Sequence, residues 1–165
     1  MVDLNKLSSA SLAPEEPAVR QAIELLFFAY RDFTSGPDEV LADFGYGRAH
    51  HRVIHFVGRN PGITVQQLLR ILRITKQSLS RVLGALIHDG YIEQVKGRRD
   101  KRLRHLHLTD RGRELEAACS APQRRLVAEA FAEAGIDAVH GYTAVLKALI
   151  DPGDRAEVLA MIEKD

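Results

Sequence analysis

The stretch ITVQQLLRILRITKQSLSRVLGALIHDGYIEQV, residues 63–95, restricts the fold more than any other part of this chain. Thr64 reads as a helix N-cap, followed by Val65, Leu68, Leu69 and Leu72 on one helical face. A tight Arg73-Ile74 turn then leads to a second N-cap, Thr75, with Leu79, Val82, Leu83, Leu86 and Ile87 forming an apolar stripe behind it. Gly90 supplies the stop. The two stripes can share one core only if the helices cross steeply, which leaves the polar start of the second helix on the surface. Residues 91–96 then read as a short strand, 97–101 as a turn and 103–108 as the returning strand. The alternation in that second strand is only partly apolar, because His105 and His107 share a face. Two short crossed helices followed by a hairpin make a winged helix-turn-helix.

The flanks are helical. Residues 1–14 show no sustained periodicity and are expected to form a loose arm. Glu15, Glu16 and Pro17 suit a first helical turn, and Val19, Ile23, Leu26, Phe27 and Tyr30 recur at helical spacing behind them. Ser35-Gly36-Pro37 is expected to end that helix. A second helix is expected from near Asp38 to about Gly58, with a break at Gly45-Tyr46-Gly47, before Asn60-Pro61-Gly62 closes it. Beyond the hairpin, Thr109-Asp110 caps a helix to about Ala134, which Pro122 should kink or split. Gly135 separates it from a helix carrying Val139, Tyr142, Val145, Leu146 and Leu149, and Asp151-Pro152 opens a last short helix ending near Lys164. The expected class is mainly α with a small β-hairpin wing. The expected domain plan is an arm (1–14), an N-terminal helical region (15–45), a winged lobe (46–112) and C-terminal helices (113–165).

The chain carries a net charge of only +1, but that average hides a division. Residues 46–113 hold 15 Lys/Arg against four acids, while the remainder holds eight Lys/Arg against 18 acids. Scattered solvated cations account for a small excess. An imbalance of this size in the middle of the chain favours a polyanion there and a different partner at the acidic ends.

The candidate interface has two parts. Thr75, Lys76, Gln77, Ser78, Ser80 and Arg81 open the second helix of the pair. The N-terminal residues of such a helix are the ones that reach base edges: Gln pairs with adenine, Arg or Lys with guanine, Ser or Thr with bases or phosphate. Arg98, Arg99, Asp100, Lys101 and Arg102 form the hairpin tip, where arginines suit a narrow, electronegative minor groove. Asp100 cannot attract phosphate, so its expected role is to pair with a neighbouring Arg and fix the wing's shape.

With those residues in place, residues 47–112 resemble the DNA-binding core of MarR-family transcriptional regulators. The wing of that family carries D-x-R and then L-T-x-x-G. Here Asp100-Lys101-Arg102 and Leu108-Thr109-Asp110-Arg111-Gly112 stand at matching spacing. The resemblance implies a homodimer built from the N- and C-terminal helices and bound to a pseudo-palindromic double-stranded DNA operator. It also implies base contacts from residues 75–81, wing contacts from residues 98–102, and a repressor released by a small-molecule effector. Pro122 departs from the continuous long helix usual in the family.

Other readings are weaker. His51 and His55 have the spacing of a metal pair, and His50 lies beside them, but no Cys or acid falls in local register with any of the three. Packing is the better expectation for them, and no metal or cofactor is expected. Cys119 is the only cysteine, which excludes an intrachain disulfide and fits a reducing cytoplasm; set among alanines, it reads as an inert packed thiol. Phe27, Phe28, Tyr30 and Phe33 suit an effector pocket, the core or a dimer contact equally well. The glycines are isolated turn residues and no nucleophile–base pair stands out, so the chain does not read as an enzyme. No signal peptide or membrane-spanning run is evident. The rival that shares both the charge and the wing is a non-specific architectural nucleic-acid binder, which needs neither operator preference nor ligand pocket.

Overall fold

The fold was obtained as a computed structural model that describes residues 16–97, 100 and 102–163. The arm expected over residues 1–14 lies outside them. The chain divides into two compact units, Met1–Cys119 and Ser120–Asp165.

In the first unit, α1 (Glu16–Ala42) and α2 (Arg48–Arg59) precede β1 (Ile63–Thr64), α3 (Val65–Leu72), α4 (Lys76–His88), β2 (Ile92–Lys96) and β3 (Arg104–Leu108). The start of α5 (Asp110–Ala134) completes it. The three strands form an antiparallel sheet in the order β1-β3-β2, with Ile63 opposite Leu106, Ile92 opposite Leu108 and Val95 opposite His105. Val53, Ile54 and Val57 of α2, Leu68 of α3 and Leu79, Val82, Leu83 and Leu86 of α4 are buried with Ile92, Leu106 and Leu108 of the sheet. The apolar stripes expected for the two short helices thus meet in one core.

Both expected caps are made. Thr64 Oγ1 accepts from the Gln67 amide at 3.3 Å while Gln67 Oε1 accepts from the Thr64 amide at 2.9 Å, a reciprocal arrangement that satisfies two orphan donors. Thr75 Oγ1 accepts from the Ser78 amide at 3.1 Å. Arg73, between the helices, adopts left-handed backbone with φ of 49°, which lets the chain reverse in so few residues.

Several boundaries differ from expectation. Helix α1 does not stop at Ser35-Gly36-Pro37; it runs through Pro37 to Ala42, and the chain breaks only at the expected Gly45-Tyr46-Gly47, where Gly45 has a φ of +68°. Pro37 and Leu41 are both fully buried on the same face, and that burial outweighs the missing N–H. The Thr34 and Ser35 hydroxyls turn back to donate to the carbonyls of Tyr30, Arg31 and Asp32, so neither residue serves as a turn. Pro122 lies inside α5 without splitting it. The two-residue strand β1 had no periodicity to announce it and exists through its pairing with β3.

The second unit carries the rest of α5, then α6 (Ile136–Leu149) and α7 (Arg155–Ile162). Gly135 divides α5 from α6 as expected, with φ of +83°. The last helix begins later than Asp151-Pro152, because Asp151 Oδ1 accepts from the Gly153 amide at 2.8 Å and holds a turn first. Arg155 Nη2 then donates to the carbonyls of Ala148 and Ile150. No helix among the described residues is long and apolar enough to cross a membrane.

Candidate nucleic-acid interface

Thr75, Lys76, Gln77, Ser78, Ser80 and Arg81 are all exposed at the start of α4, while Leu79, Val82, Leu83 and Leu86 face inward. The split follows from helical period, which puts the four apolar residues on one face and the polar ones opposite. Thr75 is tied up locally: besides its cap bond, its hydroxyl donates to Ser78 Oγ at 2.9 Å. That contact leaves the Ser78 hydroxyl proton free to be directed outward.

The wing leaves β2 at Gly97 and returns at Leu103. The Gly97 amide donates to the Leu103 carbonyl, and the Leu103 amide to the Asp100 carbonyl, both at 3.1 Å. Asp100 Oδ1 accepts from the Arg102 backbone amide at 2.8 Å. Asp100 therefore fixes the turn through the backbone of the arginine two residues on. A Cβ at position 97 would lie 2.5 Å from the Asp100 carbonyl oxygen, so the turn closes only over glycine. Arg98, Arg99 and Lys101 lie outside the described residues; Asp100 and Arg102 are exposed at the tip.

Beneath the wing, the Leu108-Thr109-Asp110-Arg111-Gly112 run joins the sheet to α5. Leu108 is buried in the core. Thr109 Oγ1 donates to the Gly90 carbonyl at 2.7 Å and accepts from the Gly112 amide at 3.1 Å, and the Thr109 amide donates to the Tyr91 carbonyl at 3.1 Å. A Cβ on Gly112 would fall 2.0 Å from that same Tyr91 oxygen. These contacts clamp the end of α4 against the start of α5.

Two cations of the basic run between Gly97 and Arg113 do not belong to the wing. Arg111 stacks over the Tyr91 ring at 4.8 Å and donates to the Asp89 carbonyl at 3.0 Å. Arg113 donates to the Leu108 carbonyl at 2.8 Å and pairs with Asp110. The sequence gives their charge but not their direction, and both hold α5 in place.

Sequence reasoning also missed a support at the far end of α4. The Tyr46 hydroxyl donates to Asp89, and the Tyr46 ring stacks on His50 at 4.4 Å. Burial, then the Asp89 carboxylate, raises the Tyr46 phenol above its ordinary range. The hydrogen bond from Tyr46, then one from His88, holds the Asp89 carboxyl below its usual value. Tyr46 and Asp89 stand 43 residues apart, and no local pattern links them.

Three further histidine contacts are made within the protein. His50 Nδ1 accepts from the Gly47 amide at 3.2 Å, His55 Nδ1 lies 3.3 Å from Glu116 Oε1, and His105 Nδ1 lies 2.8 Å from the Gly62 carbonyl. Burial holds the His50 and His51 imidazoles below their ordinary value. Among the described residues no group of three or more His, Cys, Asp or Glu could hold a metal ion. Cys119 is fully buried, and burial pushes its thiol up to about 11.

The apolar side chains along the first half of α1 are not core. Ile23 and Phe27 are 64% and 63% exposed, and Leu25, Leu26, Phe28 and Tyr30 are also exposed. In the second unit the same holds for Ile136, Tyr142, Val145, Leu149 and Ile162.

Comparison with known proteins places this arrangement in a family. Residues 44–103 match the MarR family. The chain is 53% identical over 137 residues to the HTH-type transcriptional regulator PetP of Rhodobacter capsulatus, covering 83% of this chain and 82% of PetP. It is 29% identical over 106 residues to the transcriptional activatory protein BadR of Rhodopseudomonas palustris, covering 60% of this chain and 61% of BadR. Its fold is similar to that of Streptococcus pneumoniae FabT in complex with DNA, with a TM-score of 0.71 at 22% identity, covering 79% of this chain and 94% of FabT. A mutant MarR from E. coli complexed with operator DNA is also similar, with a TM-score of 0.63 at 20% identity, covering 84% and 100% of the two chains. The extent and identity of the match to PetP, joined to a winged helix-turn-helix core, show that the chain belongs to the MarR family and is a transcriptional regulator, not an enzyme.

Proposed function

We propose that the protein regulates transcription by binding a pseudo-palindromic operator as a homodimer, with α4 in the major groove and the wing in the minor groove. The observation that carries the reading is the exposed polar start of α4, where Lys76, Gln77, Ser78, Ser80 and Arg81 stand clear of a helix whose other face is buried. Thr75 caps and orders that turn, while Gln77 and Arg81 carry the side chains suited to base edges. Arg98, Arg99, Lys101 and Arg102 supply the wing's cations, and Asp100 its shape. The DNA complexes of FabT and MarR support double-stranded DNA as the partner.

The acidic ends fit a dimer of the family's kind. Large apolar side chains exposed along α1 and in the second unit need covering, and a twofold copy of the same chain is the partner proposed for each. Residues 15–45 and 113–165 then serve dimerisation, and residues 46–112 serve DNA. Repression by operator occlusion, relieved by a small-molecule effector, is the regulatory mode proposed from the family resemblance. A promoter–reporter assay separates it from the activation named for BadR: removing the regulator raises expression under repression and lowers it under activation.

The deciding experiment is fluorescence anisotropy on DNA upstream of the regulator's own gene, titrated with random competitor at several salt concentrations, beside light scattering for mass. A preference of about a thousandfold over random DNA, by a dimer, supports the reading. Equal, salt-sensitive binding to both duplexes favours a non-specific architectural binder. Absence of binding at low salt refutes both.

A further inference from the structure

Gly84 stands in the middle of α4, exposed, and a Cβ built there would meet nothing within 4 Å. The fold makes no demand for glycine at this point. The backbone is helical and its φ is not positive, unlike that of Gly62 or Gly90. Nothing packs against the bare Cα, as the Tyr91 carbonyl packs against Gly112. Yet glycine in a helix interior destabilises relative to alanine. A helix keeps such a residue without penalty to function when something outside the chain must approach its backbone closely.

The position of Gly84 says where that approach occurs. At 3.6 residues per turn it falls within about 20° of Gln77, about 40° of Ser80 and about 60° of Arg81 around the helix, roughly 10 Å further along the axis than Gln77. It therefore continues the exposed face that begins with the proposed base-reading residues. A helix with its side chains is about 10–12 Å across, and the major groove is about 12 Å wide. When the first turn of a helix reaches base edges, the turns behind it pass close to the phosphate wall.

We propose that Gly84 is where the backbone of α4 makes van der Waals contact with the sugar–phosphate edge of the major groove, setting the depth to which Gln77, Ser80 and Arg81 enter. The inference rests on the major-groove reading above and adds a residue that carries neither charge nor hydrogen-bonding side chain. On binding, Gly84 acts only by having no Cβ. Substitution there should consequently separate folding stability from DNA affinity.

The test compares Gly84→Ala, Gly84→Leu and Arg81→Ala with the wild-type protein. The probes are a duplex enriched from a randomised pool by the wild-type protein and a scrambled duplex of the same length. Gly84→Ala is expected to raise the melting temperature by about 2–4 °C while weakening the enriched duplex by about tenfold and the scrambled one by less. Gly84→Leu, bulkier on an equally helical backbone, should weaken the enriched duplex further. If both Gly84 variants bind like wild type while Arg81→Ala loses affinity, α4 engages DNA but Gly84 is not at the contact, and the inference falls. If Arg81→Ala is also silent, the major-groove reading falls and takes the inference with it. A lowered melting temperature in Gly84→Ala would mean that the fold itself needs the glycine, which equally overturns the proposal.

Discussion

Replacing Gly112 with alanine should unfold the junction beneath the wing, and the structure sets the size of the effect. The new Cβ would stand 2.0 Å from the Tyr91 carbonyl oxygen and 3.0 Å from its carbon, with Leu108 Cβ at 3.3 Å behind it. Relief requires the start of α5 and the Tyr91 peptide to part by about 1 Å, since contacts below about 3 Å are not tolerated by backbone. That movement pulls on three hydrogen bonds in the same junction: Thr109 N to Tyr91 O at 3.1 Å, Thr109 Oγ1 to Gly90 O at 2.7 Å, and Gly112 N to Thr109 Oγ1 at 3.1 Å. Losing two of them and the cap costs about 1 kcal/mol each. The better helix propensity of alanine returns about 1 kcal/mol. A net loss of about 2 kcal/mol lowers the melting temperature by roughly 4–8 °C at the 2–4 °C per kcal/mol typical of this chain length. Circular dichroism followed through heat and urea, with the denaturant slope unchanged, measures it. If Gly112→Ala melts within 1 °C of wild type, or higher, the clamp is not what the motif supplies.

Asp100 separates charge from shape in the wing. Asp100→Asn keeps an oxygen for the Arg102 amide and sheds the negative charge, so it should bind DNA about fivefold more tightly than Asp100→Ala, the worth of one hydrogen bond; equal affinities by anisotropy would mean the Asp100–Arg102 bond does not order the wing for DNA. Acid should destabilise the fold in a defined window. The folded-state values of His50 and His51 lie below the ordinary 6.5, so the unfolded chain takes up protons first as pH falls through that value. The melting temperature should be flat above about pH 7.5 and fall toward pH 5, less steeply in His51→Gln, and an identical slope in that variant would refute the assignment to His51. The Asp89 carboxyl is depressed instead, so its contribution is present above the unfolded carboxylate value and is lost only in stronger acid. Cys119, fully buried with its thiol pushed up to about 11, should react with a thiol reagent at neutral pH only as fast as the fold opens. Rapid labelling in the native state would contradict its burial.

What the sequence reveals of this protein divides by the range of the forces involved. Thr64 and Thr75 are readable as caps because a cap bond closes within three residues, and the stripe from Leu79 to Leu86 is readable because helical period is local. Those two facts also expose Lys76, Gln77, Ser80 and Arg81, so the major-groove half of the proposed interface can be derived from residue order alone. Pro37 and Pro122 mislead for the converse reason. Each is a local breaker, and the burial of Pro37 with Leu41 that keeps α1 intact comes from tertiary packing. The charge excess over residues 46–113 is ambiguous in the same way: charge alone does not distinguish Arg102, exposed on the wing, from Arg111, stacked over Tyr91 and bonded to the Asp89 carbonyl. Gly97 and Gly112 lie between these cases. Both sit in recognisable turns, but what forbids a side chain there is a carbonyl oxygen, three residues away for Gly97 and twenty-one for Gly112. Gly84 reverses that logic, because no atom within 4 Å forbids a side chain there, and the requirement proposed for the glycine lies outside the fold.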